Sequence, residues 1–288
     1  MADARPQQKI TLVTGKGGVG KSTVAAAYAI SRARRGKRVL LVEFIEASYF
    51  ARVLNKPVSF EPQIWEPGLV VAAWDGIHPL REFLLHYMKF EGVVNLFFDN
   101  RVMKTLVDVA PGLKELALLG KVTSGVRGIG PDMPYDEIIV DAFATGHFRV
   151  LIDIPVAMAD LISMGPMGEQ SRAIDRVVKN PENTQVLVVT LSEELPIQEG
   201  RELIRDLKDR GLNEIHTVLN RVVNIPDLPW ASAPESPFVR AMDQLRHQQT
   251  RAMHALAEAA PGFRQLPLVH DVSAMNQIAK MASIMEAW

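Results

Sequence analysis

The chain has 288 residues, of which 48% are hydrophobic and 23% charged, with a formal net charge of −1 and no cysteine. This balance provides enough apolar side chains for a large core, and the scattered basic residues exclude a charge-driven nucleic-acid surface. The lack of cysteine excludes disulfides, thiolate zinc sites, cysteine-bound iron–sulfur clusters and cysteine nucleophiles.

From the N-terminus onward, no stretch has the apolar core of a signal peptide or a membrane span, so we expect a cytoplasmic protein. Apolar strand-like runs alternate with amphipathic helical runs, a pattern typical of a mostly parallel α/β sheet flanked by helices. We predict strands over residues 10–14, 38–44, 69–73, 137–141, 185–190, 216–220 and 265–269.

The first helix is predicted over residues 21–35, with Gly36 as its C-terminal cap. Residues 75–134 show helical spacing of apolar residues and no convincing strand, so we predict a helical insertion within one domain spanning 1–288. A Pro-rich surface connection is predicted over 224–238.

The stretch GKGGVGKST, residues 15–23, lies between the first strand and the first helix and fits the phosphate-binding pattern G-x-x-x-x-G-K-[ST]. Glycines with positive φ let several backbone N–H groups converge on phosphate oxygens, and the helix presents its positive end to the same anion. Those glycines are Gly15, Gly17, Gly18 and Gly20. Lys21 is expected to reach the β- and γ-phosphates, and the Ser22 hydroxyl is expected to bind Mg²⁺.

A second site residue is predicted in the stretch YDEIIVDAFATGH, where a strand delivers Asp141 at its carboxyl end. Ligands of open α/β sheets bind at that edge, and the Gly-containing segment that follows is able to move with the state of the γ-phosphate. We expect Asp141 to hold Mg²⁺ through water. The alternative is an Asp that only caps a turn.

These motifs resemble those of the ArsA-like ATPases, a family that includes arsenical-pump and tail-anchored-protein-targeting ATPases and lies in one class with MinD and ParA. The loop K-G-G-V-G-K-[ST]-T of that family stands here at residues 16–23. Its D-T-A-P-T-G-H motif is matched at Asp141, Thr145, Gly146 and His147, and departs over 142–144. The resemblance implies a P-loop NTPase fold, ATP or ADP with Mg²⁺, and a nucleotide-dependent dimer.

The resemblance also implies roles for individual residues. It assigns nucleotide binding to Gly15, Lys16, Gly17, Gly18, Val19, Gly20, Lys21, Ser22, Thr23, Asn220 and Pro267, and it places Asn220 beside adenine. In such ATPases the early loop lysine, here Lys16, reaches across the dimer to the partner's phosphates, so Lys16, Lys21 and Asp141 are the implied catalytic residues. Lys16 as a solvated surface lysine is the alternative.

One departure concerns hydrolysis. Ile45 aligns with the family's Asp that orients the attacking water, while Glu43 ends the preceding strand and Glu46 follows Ile45. Three interpretations stay open: a neighbouring carboxylate such as Glu43 substitutes, the chain hydrolyses ATP slowly, or it is the regulatory half of a heteromer.

The missing cysteines exclude the family's arsenite, zinc and iron–sulfur sites, which leaves a nucleotide switch that handles an unidentified protein client. Apolar residues of the insertion, together with residues 155–168, form either a client surface or core. These insertion residues are Leu84, Leu85, Met88, Leu96, Phe97, Phe98 and Met103. We expect a homodimer or a heterodimer with a related ATPase, and no nucleic acid.

The other candidate function is a MinD- or ParA-like positioning ATPase. The C-terminal stretch 276–288 places Ile278, Met281, Met285 and Trp288 on one helical face, but it lacks the basic face of a membrane-binding helix. We therefore expect membrane contact only through a partner.

Overall fold

The computed structural model describes residues 8–45, 47–88, 112–130, 132–162, 164–225 and 236–288. These residues form one eight-stranded sheet in the order β3-β4-β2-β5-β1-β6-β7-β8. The strands are β1 Lys9–Gly15, β2 Val39–Glu43, β3 Gln63–Glu66, β4 Leu69–Ala73, β5 Glu137–Ala144, β6 Thr184–Leu191, β7 Ile215–Val222 and β8 Arg264–Pro267. All neighbouring strands are parallel except β3 and β4, which confirms the mostly parallel α/β sheet.

The edge strand β3 was not predicted from the sequence. It pairs antiparallel with β4 through a turn at Pro67 and Gly68, where Gly68 has a φ of 83°. Its side chains are only partly buried, and Ile64 is 79% exposed. A short strand with an exposed apolar side chain has no clean alternation, so the Pro-Gly turn was the only signal for it.

Helices cover both faces of the sheet, and most of them connect successive parallel strands. They are α1 Lys21–Arg34, α2 Tyr49–Leu54, α3 Ile77–Met88, α4 Leu113–Val122, α5 Ser124–Arg127, α6 Thr145–Leu161, α7 Pro166–Lys179, α8 Glu194–Asp209, α9 Pro237–Ala259 and α10 Ala274–Met285. The described part of the region between β4 and β5 contains α3, α4 and α5 and no strand. None of the described helices is both long and apolar enough to cross a bilayer.

The two faces of the sheet carry separate cores because successive strand residues point to opposite sides. On one face, Leu40 and Val42 pack with apolar residues of α4, α6, α7 and α8. On the other, Val39 and Leu41 pack with α1, α2 and α10. The alanines of α1 let it lie close to the sheet, which fixes the helix that begins at the phosphate-binding loop.

Candidate functional site

The phosphate-binding loop joins β1 to α1 and is held against the ends of β6 and β7. A Cβ atom on Gly15 would lie 2.1 Å from the carbonyl oxygen of Val189, and one on Gly20 would lie 2.6 Å from Nδ2 of Asn220. Gly18 and Gly20 have φ values of 85° and 91°, which side chains rarely adopt. Only glycine therefore allows this loop path.

The first turn of α1 has the features of an anion site. Its N-cap residue is Gly20, so no side chain caps the helix, and the first turn contains no acidic residue. Its N–H groups and the positive end of the helix dipole are therefore available to an anion, and Gly17 and Gly18 of the loop are exposed beside them.

Lys21 points back along the loop, and its Nζ donates to the carbonyl oxygen of Lys16 at 3.2 Å. Burial lowers the pKa of the Lys21 ammonium, and the negative charge of Asp141 opposes that shift. The structure therefore places a partly buried cation between the loop and the Asp141 carboxylate of β5.

Asp141 lies beside the Ser22 hydroxyl at the start of α1. Burial raises the pKa of Asp141 to about 7, and the charge of Glu43 adds to this shift, while Ser22 and Lys21 oppose it. Its Oδ1 atom is buried and has no hydrogen-bond partner. A buried carboxylate oxygen and a hydroxyl are the oxygen ligands that Mg²⁺ prefers, so these residues fit that ion.

The described residues contain no cluster of three or more acidic, His or Cys side chains able to hold a metal ion. Mg²⁺ in nucleotide sites usually takes one or two protein oxygens and completes its coordination with phosphates and water. The pair Ser22 and Asp141 matches that smaller donor set.

The strand that carries Asp141 is longer than predicted. We predicted its end at Asp141, but β5 continues to Ala144, and α6 begins at Thr145. The boundary was wrong because Ala142, Phe143 and Ala144 contain no chain-breaking residue, and Phe143 accepts a hydrogen bond from the Thr14 hydroxyl at 2.9 Å.

Glu43 ends β2 in register with Asp141 on β5. It is 2% exposed and accepts hydrogen bonds from the Ser48 hydroxyl and from the N–H groups of Tyr49 (2.8 Å) and Phe50 (3.3 Å). Burial raises its pKa, and these hydrogen bonds oppose the shift. Glu43 thus holds the start of α2, and its role toward an attacking water stays a prediction.

Ile45 lies just beyond β2 and is 46% exposed. The neighbouring acid weighed for the same role, Glu46, lies outside the described residues. Ile45 therefore presents an apolar side chain to solvent, and its alignment with the water-orienting Asp stays a prediction.

Lys16 does not contact Lys21 or Asp141 through its side chain. Its Nζ forms an ion pair with Oε1 of Glu199 on α8, and the Thr145 hydroxyl donates to Oε2 of the same carboxylate at 3.2 Å. Sequence reasoning missed Glu199, which lies 183 residues from Lys16 among several other acids of the stretch SEELPIQEGREL. No local pattern distinguishes it from those acids.

The segment after Asp141 contacts the helices between β4 and β5. The His147 ring stacks on Phe143, with centroids 3.8 Å apart and an interplanar angle of 11°. The His147 Nε2 lies 2.9 Å from Oε1 of Glu115 on α4. Phe143 is one of the departures from the family motif, and the stack connects it to a matching residue.

Asn220 and Pro267 lie at the carboxyl ends of β7 and β8. Asn220 is buried, its Nδ2 donates to the carbonyl oxygen of Val19, and its Oδ1 accepts from the N–H of Arg221. Pro267 lines a cavity of about 370 Å³ together with residues 222–225, which comprise the last residue of β7 and the three residues after it. Asn220 therefore stabilises the loop, and the adenine contact of Asn220 and the nucleotide binding of Pro267 stay predictions.

Known proteins that are similar to this chain are ATPases. Residues 8–165 match the model of the ArsA ATPase family, described as anion-transporting ATPase. The chain is 33% identical over 232 residues to the ATPase BagA of Mycobacterium tuberculosis, which covers 76% of this chain and 66% of BagA. It is 28% identical over 272 residues to an arsenical pump-driving ATPase of Acidiphilium multivorum, covering 88% of this chain and 44% of that protein.

A third relative is an arsenical pump-driving ATPase of Escherichia coli, 25% identical over 270 residues, covering 91% of this chain and 44% of that protein. The chain thus spans less than half of these two pump-driving ATPases and about two thirds of the mycobacterial relative. Because the family model matches more than half of the chain and includes the phosphate-binding loop and Asp141, the chain belongs to the ArsA ATPase family.

Proposed function

We propose that this chain is an ATP- and Mg²⁺-dependent dimeric switch ATPase that couples its nucleotide state to the binding of a protein client. The observation that carries this proposal is the uncapped start of α1 beside the unpartnered Asp141 oxygen. Both features leave polar groups without partners at one point, and a magnesium nucleotide would supply those partners.

The nucleotide would bind to residues at the start of α1 and at the carboxyl ends of the neighbouring strands. The N–H groups of the loop and of α1 donate to phosphate oxygens, and Lys21 neutralises charge at the same point. Ser22 and Asp141 would hold Mg²⁺, which when bound neutralises phosphate charge. The base would lie at the carboxyl ends of β7 and β8, where Asn220 and Pro267 stand.

A change at the phosphate end has a physical route to the helices between β4 and β5. Thr145 and His147 follow directly on the strand that carries Asp141, and His147 contacts Glu115 of α4. Gly112, which precedes α4, lies against Ile154 of α6 so closely that a Cβ atom there would be 2.2 Å from Cδ1 of Ile154. Movement of α6 would therefore displace α4.

A client surface is supported by exposed apolar side chains on α6 and just beyond it. Val150, Leu161 and Met164 are 49%, 79% and 85% exposed. Such side chains stabilise an interface when a partner covers them. Residues 89–111, which carry Leu96, Phe97, Phe98 and Met103 of the predicted surface, lie outside the described residues.

We further propose that the isolated chain hydrolyses ATP slowly. The exposed Ile45 side chain offers no hydrogen-bond acceptor to a water, and the Glu43 carboxylate already accepts hydrogen bonds from the start of α2. The same observation favours a second candidate, a weakly hydrolysing subunit in a heteromer with a related ATPase. Turnover of the purified chain alone and mixed with such a subunit separates the two.

A MinD- or ParA-like positioning role receives less support. Ile278, Met281 and Met285 of α10 are at most 2% exposed and pack in the same core as α1. The apolar face of this helix therefore stabilises the core, and it is not displayed for docking on a membrane.

Nucleotide binding is the first test. At about 100 times its dissociation constant, ATP or ADP with Mg²⁺ stabilises a folded protein by about 2.7 kcal/mol, which a thermal melt detects. Lys21→Ala should reduce this effect, whereas Lys56→Ala, an exposed lysine after α2, should not. A wild-type chain with no shift for either nucleotide would contradict the proposed function.

Coupling is tested by hydrogen exchange of α4. The exchange rates of residues 113–122 should change when ATP replaces ADP, and Glu115→Gln should diminish this difference. Exchange that is the same in both nucleotides would contradict the coupling while leaving nucleotide binding intact.

A further inference from the structure

One carboxylate connects two segments of the nucleotide site. Oε1 of Glu199 pairs with the Lys16 ammonium, and Oε2 accepts a hydrogen bond from the hydroxyl of Thr145 at 3.2 Å. Lys16 belongs to the phosphate-binding loop, and Thr145 is the first residue of α6. Glu199 thus contacts both segments that would respond to a γ-phosphate.

Glu199 is held on a fixed support. Its helix, α8, is anchored to the sheet by buried residues on either side of it, including Ile197 and Leu203. Gly200 packs beside β6, where a Cβ atom would be in ordinary van der Waals contact with Thr190 at 3.6 Å. The carboxylate therefore has a stable position to which Lys16 and Thr145 are attached.

The contact also directs Lys16 inward. The ammonium is bound within its own subunit, and its side chain is 32% exposed, compared with 33% for Glu199. Exposed or half-exposed ion pairs contribute little free energy, so a group with more negative charge is able to replace the carboxylate. A triphosphate is such a group.

We propose that Glu199 is a positioning residue that holds Lys16 within its own subunit until a partner subunit presents its ATP phosphates. This rests on the proposed function, in which Lys16 acts across the dimer. Lys16 then leaves the Glu199 carboxylate and pairs with the partner's phosphate oxygens. The carboxylate that accepts from the Thr145 hydroxyl is left without the positive charge of Lys16 beside it. Dimer closure and the start of α6 are thereby linked through one side chain.

The test is Glu199→Gln, which keeps the size of the side chain and removes its charge. With a non-hydrolysable ATP analogue, light scattering should show dimer formation at about a three-fold lower analogue concentration than in wild type, the size expected for a weak ion pair. Glu202→Gln, an exposed neighbour on α8 that accepts from Gln198, is the matched control and should leave the curve unchanged.

A double mutant separates positioning from a merely structural role. In a Lys16→Ala background, Glu199→Gln should leave the dimer curve where Lys16→Ala alone places it, because no ammonium remains to be released. A shift of equal size in both backgrounds would overturn the proposal. Glu199→Asp, too short to contact both partners, should give an intermediate curve and serves if Glu199→Gln does not fold.

The remaining outcomes are also decisive. A Glu199→Gln curve that is unchanged or moves to higher analogue concentration would overturn the positioning role, as would a chain that binds ADP but stays monomeric in both forms. ADP affinity, measured on the same samples, should be equal in wild type and Glu199→Gln. A wild type that binds neither ADP nor the analogue would instead defeat the proposed function itself.

Discussion

Strands β2 and β5 carry two acids in register, Glu43 at the end of β2 and Asp141 within β5, whose surroundings differ. Burial raises the pKa of both. Glu43 accepts three hydrogen bonds from the start of α2, whereas Asp141 keeps a buried oxygen without a partner. Burial and a raised pKa therefore do not by themselves mark a ligand site; the unpartnered oxygen beside the phosphate-binding loop does.

The largest effect should come from Asp141→Asn. If this carboxylate holds Mg²⁺, the variant should lose the Mg²⁺-dependent gain in ATP affinity and turn ATP over about 10³-fold more slowly, since a catalytic metal contributes several kcal/mol. Single-turnover kinetics and calorimetry with and without Mg²⁺ measure both. Asp136→Asn, at the opposite end of the same strand, is the control, and wild-type behaviour of Asp141→Asn would remove the distinction between the two acids.

The next effect concerns the end of β2. Ile45→Asp should raise turnover by about 10²-fold without tightening ATP binding, because it restores a hydrogen-bond acceptor for the attacking water. Steady-state turnover at saturating Mg²⁺-ATP measures it. A wild type that is already fast, and that slows when Glu43 becomes Gln, would show that β2 supplies the acceptor from Glu43 instead.

Glu43→Gln should act on stability. The amide has one acceptor oxygen in place of two, so at least one donor at the start of α2 loses its partner, at a cost of about 1–3 kcal/mol in the free energy of unfolding. Denaturant unfolding measures this, with Glu61→Gln on the surface as a control expected within about 0.5 kcal/mol of wild type. Unchanged stability would contradict the assignment of Glu43 to α2.

The smallest effect, when measured over a single pH unit, is on pH dependence. With a pKa of about 7 in the folded, ligand-free protein, Asp141 binds a proton that the unfolded chain releases near pH 4. Its contribution to the free energy of unfolding therefore falls as the pH rises from about 4 to about 7, and Mg²⁺-ATP affinity rises over the same range by up to about tenfold per pH unit. Both trends should be absent in Asp141→Asn, and a flat affinity profile in wild type would contradict the pKa.

The phosphate-binding loop was predictable because its requirements are local. The positive φ of Gly15, Gly18 and Gly20 and the uncapped start of α1 all follow from nine consecutive residues. The positive φ predicted for Gly17 was wrong. The central parallel strands were predictable for a similar reason, since buried strands form continuous apolar runs that stand out from their surroundings.

The contacts made by individual side chains were not predictable. Glu43 and Asp141 have the same sequence signature, an acid ending an apolar strand, and only the position of α2 distinguishes them. Glu199 meets Lys16 because α8 packs beside β6, a long-range arrangement with no local pattern. The longer β5 likewise involves a neighbour distant in sequence, because Phe143 accepts its hydrogen bond from Thr14.

The central position of β1 has a consequence for the order in which the molecule assembles. β1 pairs with β5 and β6, so Ile10 lies opposite Ile138 on one side and Thr184 on the other. During synthesis the loop that follows β1 is made before both neighbouring strands, and it has no strand beside it until more than 110 further residues, up to the start of β5 at Glu137, are made. Parallel pairings over such separations form slowly and leave apolar edges exposed meanwhile. A nascent chain stalled before β6 should therefore be unable to retain ATP, although its complete phosphate-binding motif has already left the ribosome.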